Sequence, residues 1–135
     1  MQKIIRLIDA NINRCQEALR VIEDINRFII DDKRSSLALK NIRHNFLRFV
    51  DKLPLKRLDR LAARDISSDV GRSTSRSESA RKNYLEIYYR NIQRAKESLR
   101  VLEEFSKIYD GKVSKGFKFL RYKVYDLEKN IFAKG

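Results

Sequence analysis

Residues 11–24 read NINRCQEALRVIED, and residues 91–104 read NIQRAKESLRVLEE. Eight of these 14 positions are identical at an offset of 80: Asn11/Asn91, Ile12/Ile92, Arg14/Arg94, Glu17/Glu97, Leu19/Leu99, Arg20/Arg100, Val21/Val101 and Glu23/Glu103. Self-similarity at a fixed offset marks a duplicated structural unit. A weaker echo follows each copy. LKNIRHNF at 39–46 resembles FKFLRYKV at 117–124, pairing Lys40 with Lys118 and Arg43 with Arg121 at an offset of 78. Each half therefore reads as a long helix, a short turn and a second helix.

Working outward, Ile5, Ile8, Ile12, Cys15, Leu19, Ile22 and Ile29 recur in steps of three and four, with Asn26 filling one slot. That spacing predicts an amphipathic helix over about 2–30. Asp31, Asp32 and the Ser35–Ser36 pair mark a turn. A second helix over about 36–52 should bury Leu39, Ile42, Phe46, Phe49 and Val50, and Pro54 stops it. A short helix is expected at 55–62. Ser75 and Glu78 fit a capping box for the next long helix, which should run to about Tyr109 and end at Asp110–Gly111. A last helix covers about 114–132. The expected fold is one all-α domain, a bundle of two duplicated long-helix hairpins with a pseudo-two-fold relation. The halves are 2–53 and 76–133, joined by a segment at 54–75 that carries a central functional loop. The stripes on the two long helices suit either an intramolecular bundle or a homodimer.

Composition agrees with helices. Among 135 residues there are 4 Gly and 1 Pro, 42% are hydrophobic and 36% charged. That is too apolar for a disordered chain and too charged for a membrane protein. No run reaches the length of a membrane span, and Met1–Ala10 lacks a signal-peptide cleavage site. A single cysteine, Cys15, sits at an apolar helical position, which favours a buried thiol and a cytoplasmic setting. The net charge of +13 predicts attraction to anions, whether RNA, DNA or a phosphorylated small molecule.

Two constellations can meet such anions. Arg20, Glu23, Arg100 and Glu103 belong to a polar stripe beside each apolar one, with Asp9, Asn13, Gln16 and Arg27 in the first copy. Solvated i, i+3 ion pairs explain an isolated pair. Their repetition points either to buried pairing in a duplicated core or to anion binding. The second constellation is the loop RDISSDVGR, with Arg64, Asp65, Asp69, Gly71 and Arg72. Two carboxylates four residues apart can hold Mg²⁺, which takes a few carboxylate oxygens plus phosphates and water. The arginines suit phosphates, and long ordered loops are usually functional. There is no P-loop and no GxGxxG. One His and one Cys exclude a His/Cys metal cluster, and His44 alone reads as a helix-surface or packed residue.

The run RLIDANINRCQEALRVIEDINRF, the central LAARDISSDVG and the late LRYKVYDLEK resemble one family over about residues 5–128. It is the small helical hydroxymethylpyrimidine phosphate kinase domain often fused ahead of thiamine phosphate synthase. The resemblance implies ATP-dependent phosphorylation of 4-amino-5-hydroxymethyl-2-methylpyrimidine phosphate to its diphosphate, with Mg²⁺. On this reading Arg20, Arg64, Arg72 and Arg100 bind phosphates. Asp65 and Asp69, with Glu23 or Glu103, hold the metal. Asn11, Asn91, Arg14 and Arg94 complete the binding residues, and Tyr84, Tyr88 or Tyr89 stacks on a ring. The twin Arg–Glu helices are expected to face one anion pocket that the Asp65–Asp69 segment closes. The competing readings are a non-catalytic helical partner of thiamine phosphate synthase, ranked second, and a basic nucleic-acid-binding module, ranked third.

Overall fold

The computed structural model describes residues 1–73 and 83–132. Among these, five α-helices form the fold: α1 Gln2–Asp24, α2 Lys33–Lys52, α3 Arg57–Ala63, α4 Tyr84–Ser106 and α5 Gly111–Phe132. The described residues contain no strand, and the fold is an all-helical bundle. The expected capping box at Ser75 and Glu78 lies outside the described residues.

The long helices α1 and α4 pack antiparallel. Asn26, just past α1, donates to the Tyr88 hydroxyl near the start of α4 at 2.7 Å, and Cys15 meets Ser98 midway. Ile8, Ile12, Leu19 and Ile22 interleave there with Ile92, Ala95, Leu99 and Leu102. The second helices close the core with Leu39, Ile42 and Phe46 from α2 and Val113, Phe117, Leu120 and Val124 from α5. Each such side chain contributes about 1.5–3 kcal/mol on burial. An exposed contact such as Lys107–Glu104 at 3.1 Å adds about 0–1 kcal/mol. Apolar burial therefore sets the architecture, and the charges refine it.

The expected inward stripe holds from Ile8 to Ile22, with Ile5 only half-buried, and fails at Ile29. Ile29 is 54% exposed. The last turn, Ile25–Ile30, is wound as a π-helix. Its wider i→i+5 turn rotates the residues that follow out of phase. Ile25 and Asn26 stay buried while Phe28 and Ile29 swing outward. The Asn26 carbonyl accepts from the Asp32 amide at 3.1 Å, and Asp31 adopts a left-handed φ of 57°, which closes the helix end.

Turn chemistry sets the other boundaries. The Asp32 carboxylate caps α2, accepting from the Arg34 amide at 3.2 Å and the Ser35 hydroxyl at 2.9 Å. Helix α2 thus starts three residues before the expected position. Leu53 is extended ahead of Pro54, as the proline ring demands. Helix α4 ends at Ser106, three residues before the expected Tyr109, and the Asp110 amide donates to the Ser106 carbonyl at 2.8 Å. Asp110 caps the next helix, accepting from the Lys112 amide at 2.9 Å, and Gly111 is the first residue of α5. An Asp at this position satisfies free amides of a helix start better than it ends a preceding helix.

Candidate functional site

The repeated glutamates are core ties. Glu23 is 6% exposed and Glu103 5%. Arg43 of α2 donates from Nε to Glu23 at 2.7 Å. Arg121 of α5 donates from Nε and Nη2 to Glu103 at 3.2 and 3.0 Å. Each hairpin therefore holds its two helices together with one nearly buried Glu–Arg pair. Burial works most strongly against the Arg121 charge, but the hydrogen bond and charge of Glu103, with smaller contributions from Tyr125 and Tyr122, together outweigh it, and its pKa is raised. The sequence carried the signal: Arg43/Arg121 repeats at an offset of 78 beside Glu23/Glu103 at 80.

Arg20 and Arg100 meet the same glutamates from the solvent side, with side chains 57% and 56% exposed: Arg100 Nη1 donates to Glu103 at 3.2 Å, and Arg20 lies 3.9 Å from Glu23. Because α1 and α4 run antiparallel, Glu23 and Glu103 sit at opposite ends of the pair, about 20 Å apart at 1.5 Å per residue. The shared anion pocket expected of these four residues is therefore not formed. Each set serves its own hairpin.

The loop lies against the N-terminal half of α1. Asp9 is 3% exposed. It accepts from Arg64 Nε at 2.9 Å and Nη2 at 3.1 Å, with Arg60 at 3.7 Å and the Asn13 amide at 3.5 Å. The hydrogen bond and charge of Asp9 raise the Arg64 pKa. Arg64 is thus the anchor of the loop, not an open phosphate ligand. Arg6 Nη2 then holds the Asp65 carbonyl at 2.9 Å. The Asp65 carboxylate accepts from the Ser67 hydroxyl and from the Ser68 amide and hydroxyl. The Ser68 bonds lower its pKa. Asp69 turns the chain by accepting from the Gly71 amide at 2.9 Å.

Between loop and helices runs a groove of about 520 Å³, lined by Lys3, Arg6, Asn11 and Arg14 of α1, Ser68 and Asp69 of the loop, and Val101 and Phe105 of α4. It adjoins a second hollow of about 440 Å³ that shares Arg6, Arg14 and Asp69 and adds Glu17, Arg64 and Asp65. Cations, two loop carboxylates and an apolar floor thus meet in one place. Lys3, Arg6 and Phe105 were not singled out from sequence. Lys3, Arg6, Ala10 and Arg14 do follow helical spacing, which was the available signal.

The remaining expected residues divide between this groove and elsewhere. Asn11 and Asn91 each donate to the carbonyl one turn back, Leu7 at 2.9 Å and Ile87 at 2.8 Å. Asn91 and Arg94 are on α4 and line neither hollow. Arg72 is exposed at the far end of the loop, and its amide donates to Asp69 at 3.2 Å. Tyr88 is fully buried, which removes it as a stacking surface. Burial also pushes its hydroxyl pKa up. Tyr84 and Tyr89 stay exposed near the start of α4, away from the loop. His44 is on the α2 surface. No described helix is long and apolar enough to cross a membrane.

Among the described residues no group of three or more His, Cys, Asp or Glu side chains is placed to hold a metal ion. A nucleotide-borne Mg²⁺ asks less, one or two carboxylates with the rest from phosphate and water. Asp65 and Asp69 fit that lesser demand.

Comparison with known proteins agrees with the motifs. Thiamine-phosphate synthase of Nostoc punctiforme is 37% identical over 133 residues, 98% of this chain and 36% of that protein. Thiamine-phosphate synthase of Synechocystis sp. is 36% identical over 131 residues, 96% of this chain and 36% of that protein. Thiamine-phosphate synthase of Prochlorococcus marinus strain SARG is 39% identical over 130 residues, 94% of this chain and 35% of that protein. The chain spans about a third of the length of these relatives. No solved structure matches it. Residues 6–130 match the ThiD2 family, and the chain belongs to it.

Proposed function

We propose that the chain acts in thiamine biosynthesis as an ATP-dependent phosphotransferase, converting 4-amino-5-hydroxymethyl-2-methylpyrimidine phosphate to its diphosphate in the groove beneath the 64–71 loop. The carrying observation is that Lys3, Arg6 and Arg14 share this groove with Asp69 and an apolar floor of Val101 and Phe105. Phosphates need cations, and an aromatic ring needs such a floor.

Phosphoryl transfer rests mainly on positioning and charge neutralisation. Arg6 and Arg14 orient the phosphates. Phe105 and Val101 seat the pyrimidine. Asp69, with Asp65, would hold the Mg²⁺ of the nucleotide. That ion, when bound, neutralises charge building on the phosphate oxygens. No general base is required, because the acceptor is already an anionic phosphate oxygen. The Asp65 carboxylate accepts three bonds from Ser67 and Ser68, whereas that of Asp69 accepts one from Gly71, so Asp69 has more acceptor capacity left for the ion.

A second reading rests on the relatives. Their name and their threefold length support a role beside a thiamine-phosphate synthase more directly than they support phosphotransfer. In that case the chain is a helical partner without chemistry of its own. The deciding assay incubates the purified chain with Mg-ATP and the pyrimidine monophosphate and follows ADP and the diphosphate. Turnover that drops at least a hundredfold in Asp69→Ala upholds the phosphotransferase. No turnover alone, with stimulation of an added thiamine-phosphate synthase, upholds the partner.

A further inference from the structure

Helix α5 presents three exposed aromatic rings, Phe119, Tyr122 and Tyr125. Each carries a cation over its face: Lys123 at 5.2 Å from Phe119, Arg121 at 5.1 Å from Tyr122, and Lys96 at 4.6 Å from Tyr125. Lys112, Lys115, Lys118 and Lys129 are exposed along the same helix. Beside them, Phe119 and Lys123 form one wall of a hollow of about 470 Å³ between α2 and α5, with Ile42, Leu120 and Leu127 among its lining and Asn41 and Asn45 on the other side.

The duplicated hairpin is an internal control. The positions of α2 that correspond to Phe119, Tyr122 and Tyr125 are Asn41, His44 and Leu47. The same helix pairing is thus built without exposed aromatics, so folding does not account for them. Exposed Tyr and Phe are enriched at interface centres, and the exposed lysines around them fit a polar rim. The net charge of +13 opposes pairing with a second copy and favours an acidic surface. One face of each ring already carries a cation, which suits a protein interface better than a platform on which bases stack.

We infer that the Phe119–Tyr122 face of α5 is a docking surface for an acidic protein face, that of a thiamine-phosphate synthase, with an apolar partner side chain entering the α2–α5 hollow. This inference rests on the thiamine-pathway reading and not on phosphotransfer by the chain. The longer relatives show that such a helical unit occurs within a protein of that name. Electrostatic complementarity would steer the encounter, and the aromatic centre would hold the complex.

The test titrates the full chain, fluorescently labelled, with purified thiamine-phosphate synthase from the same source. Saturable binding is expected. It should weaken about tenfold or more in the double variant Phe119→Ala/Tyr122→Ala, and on raising salt from about 50 to about 300 mM. Both residues are surface-exposed, so melting of the variant should match the parent. Lys118→Glu/Lys123→Glu, which keeps both rings, should slow association. Absence of binding overturns the proposal, as does binding that neither variant alters. Preferential binding of a single-stranded oligouridine of about 20 nucleotides, lost in the same variants, overturns it in favour of nucleic acid. Turnover of the chain alone should be unchanged in both variants, so that assay judges the groove separately.

Discussion

The two hairpins share a scaffold and differ in what they carry. Both tie their helices with a nearly buried Glu–Arg pair, Glu23–Arg43 and Glu103–Arg121. Both bend an Asn side chain back onto the preceding turn. Beyond that they diverge. In the first half Lys3, Arg6 and Arg14 face the loop; the matching residues of the second half are Asn83, Glu86 and Arg94. Asp9, which anchors the loop through Arg64, is matched by Tyr89. The comparison separates the Glu–Arg ties, repeated because the bundle needs them, from Lys3, Arg6 and Asp9, which occur in the first half alone. Identity between halves reports packing at Leu19/Leu99 and Glu23/Glu103, while the identical Arg20 and Arg100 stay exposed.

The sharpest way to break that comparison is to remove a tie. Glu103→Ala leaves Arg121 partly buried without its carboxylate and should cost about 3–5 kcal/mol. Glu23→Ala should cost somewhat less, because Arg43 is more exposed than Arg121. Chemical denaturation measures both. If either variant kept full stability but lost turnover, the glutamates would be catalytic after all.

Gly116→Ala should cost about 1–3 kcal/mol through overpacking. An added Cβ would lie 2.5 Å from the Phe49 ring, which already packs edge-on to Phe117 at 6.2 Å. The matching residue of the first half is Ala38, so in this close approach of α5 to α2 the glycine is on α5 alone. A thermal melt equal to the parent would remove that asymmetry.

The smallest effect concerns Cys15, matched by Ala95. Burial pushes its thiol up to about 12, partly offset by a bond to Ser98. A folded pKa raised above the unfolded value of about 8.5 gives stability that is complete below that pH. It is lost as pH rises towards 12, because the unfolded chain releases its proton first. Urea titrations at about pH 8 and about pH 10 should show a larger loss in the parent than in Cys15→Ala. Equal losses would mean the thiol is not buried as described.

Much of this fold was legible because apolar residues at three-four spacing admit few alternatives, and the repeat doubled the signal. Leu39, Ile42, Phe46 and Val50 point inward as their spacing requires. Ile29 does not, because a π turn depends on how Asn26 and Tyr88 meet across the core, which periodicity cannot encode. Asp110 caps forward because caps depend on φ/ψ that a sequence leaves open. Of the expected loop residues, Asp69 lines both hollows and Asp65 one of them, beside Arg14. The helical half was misjudged, since the antiparallel sense of α1 and α4 places the twin Arg–Glu sets apart. That same sense brings Phe105 beside Arg6, a pairing across most of the chain length that no local motif announces.

Arg14 and Arg94 offer the most direct test, being the same residue at matching positions with only Arg14 on the groove. With Mg-ATP and the pyrimidine monophosphate, Arg14→Ala should lower kcat/KM by about 10- to 100-fold, the value of one charged hydrogen bond. Arg94→Ala should leave it within about twofold, a free-energy change below the scatter of surface substitutions. Equal losses in the two variants, or a loss confined to Arg94→Ala, would contradict the placement of the site on the first half.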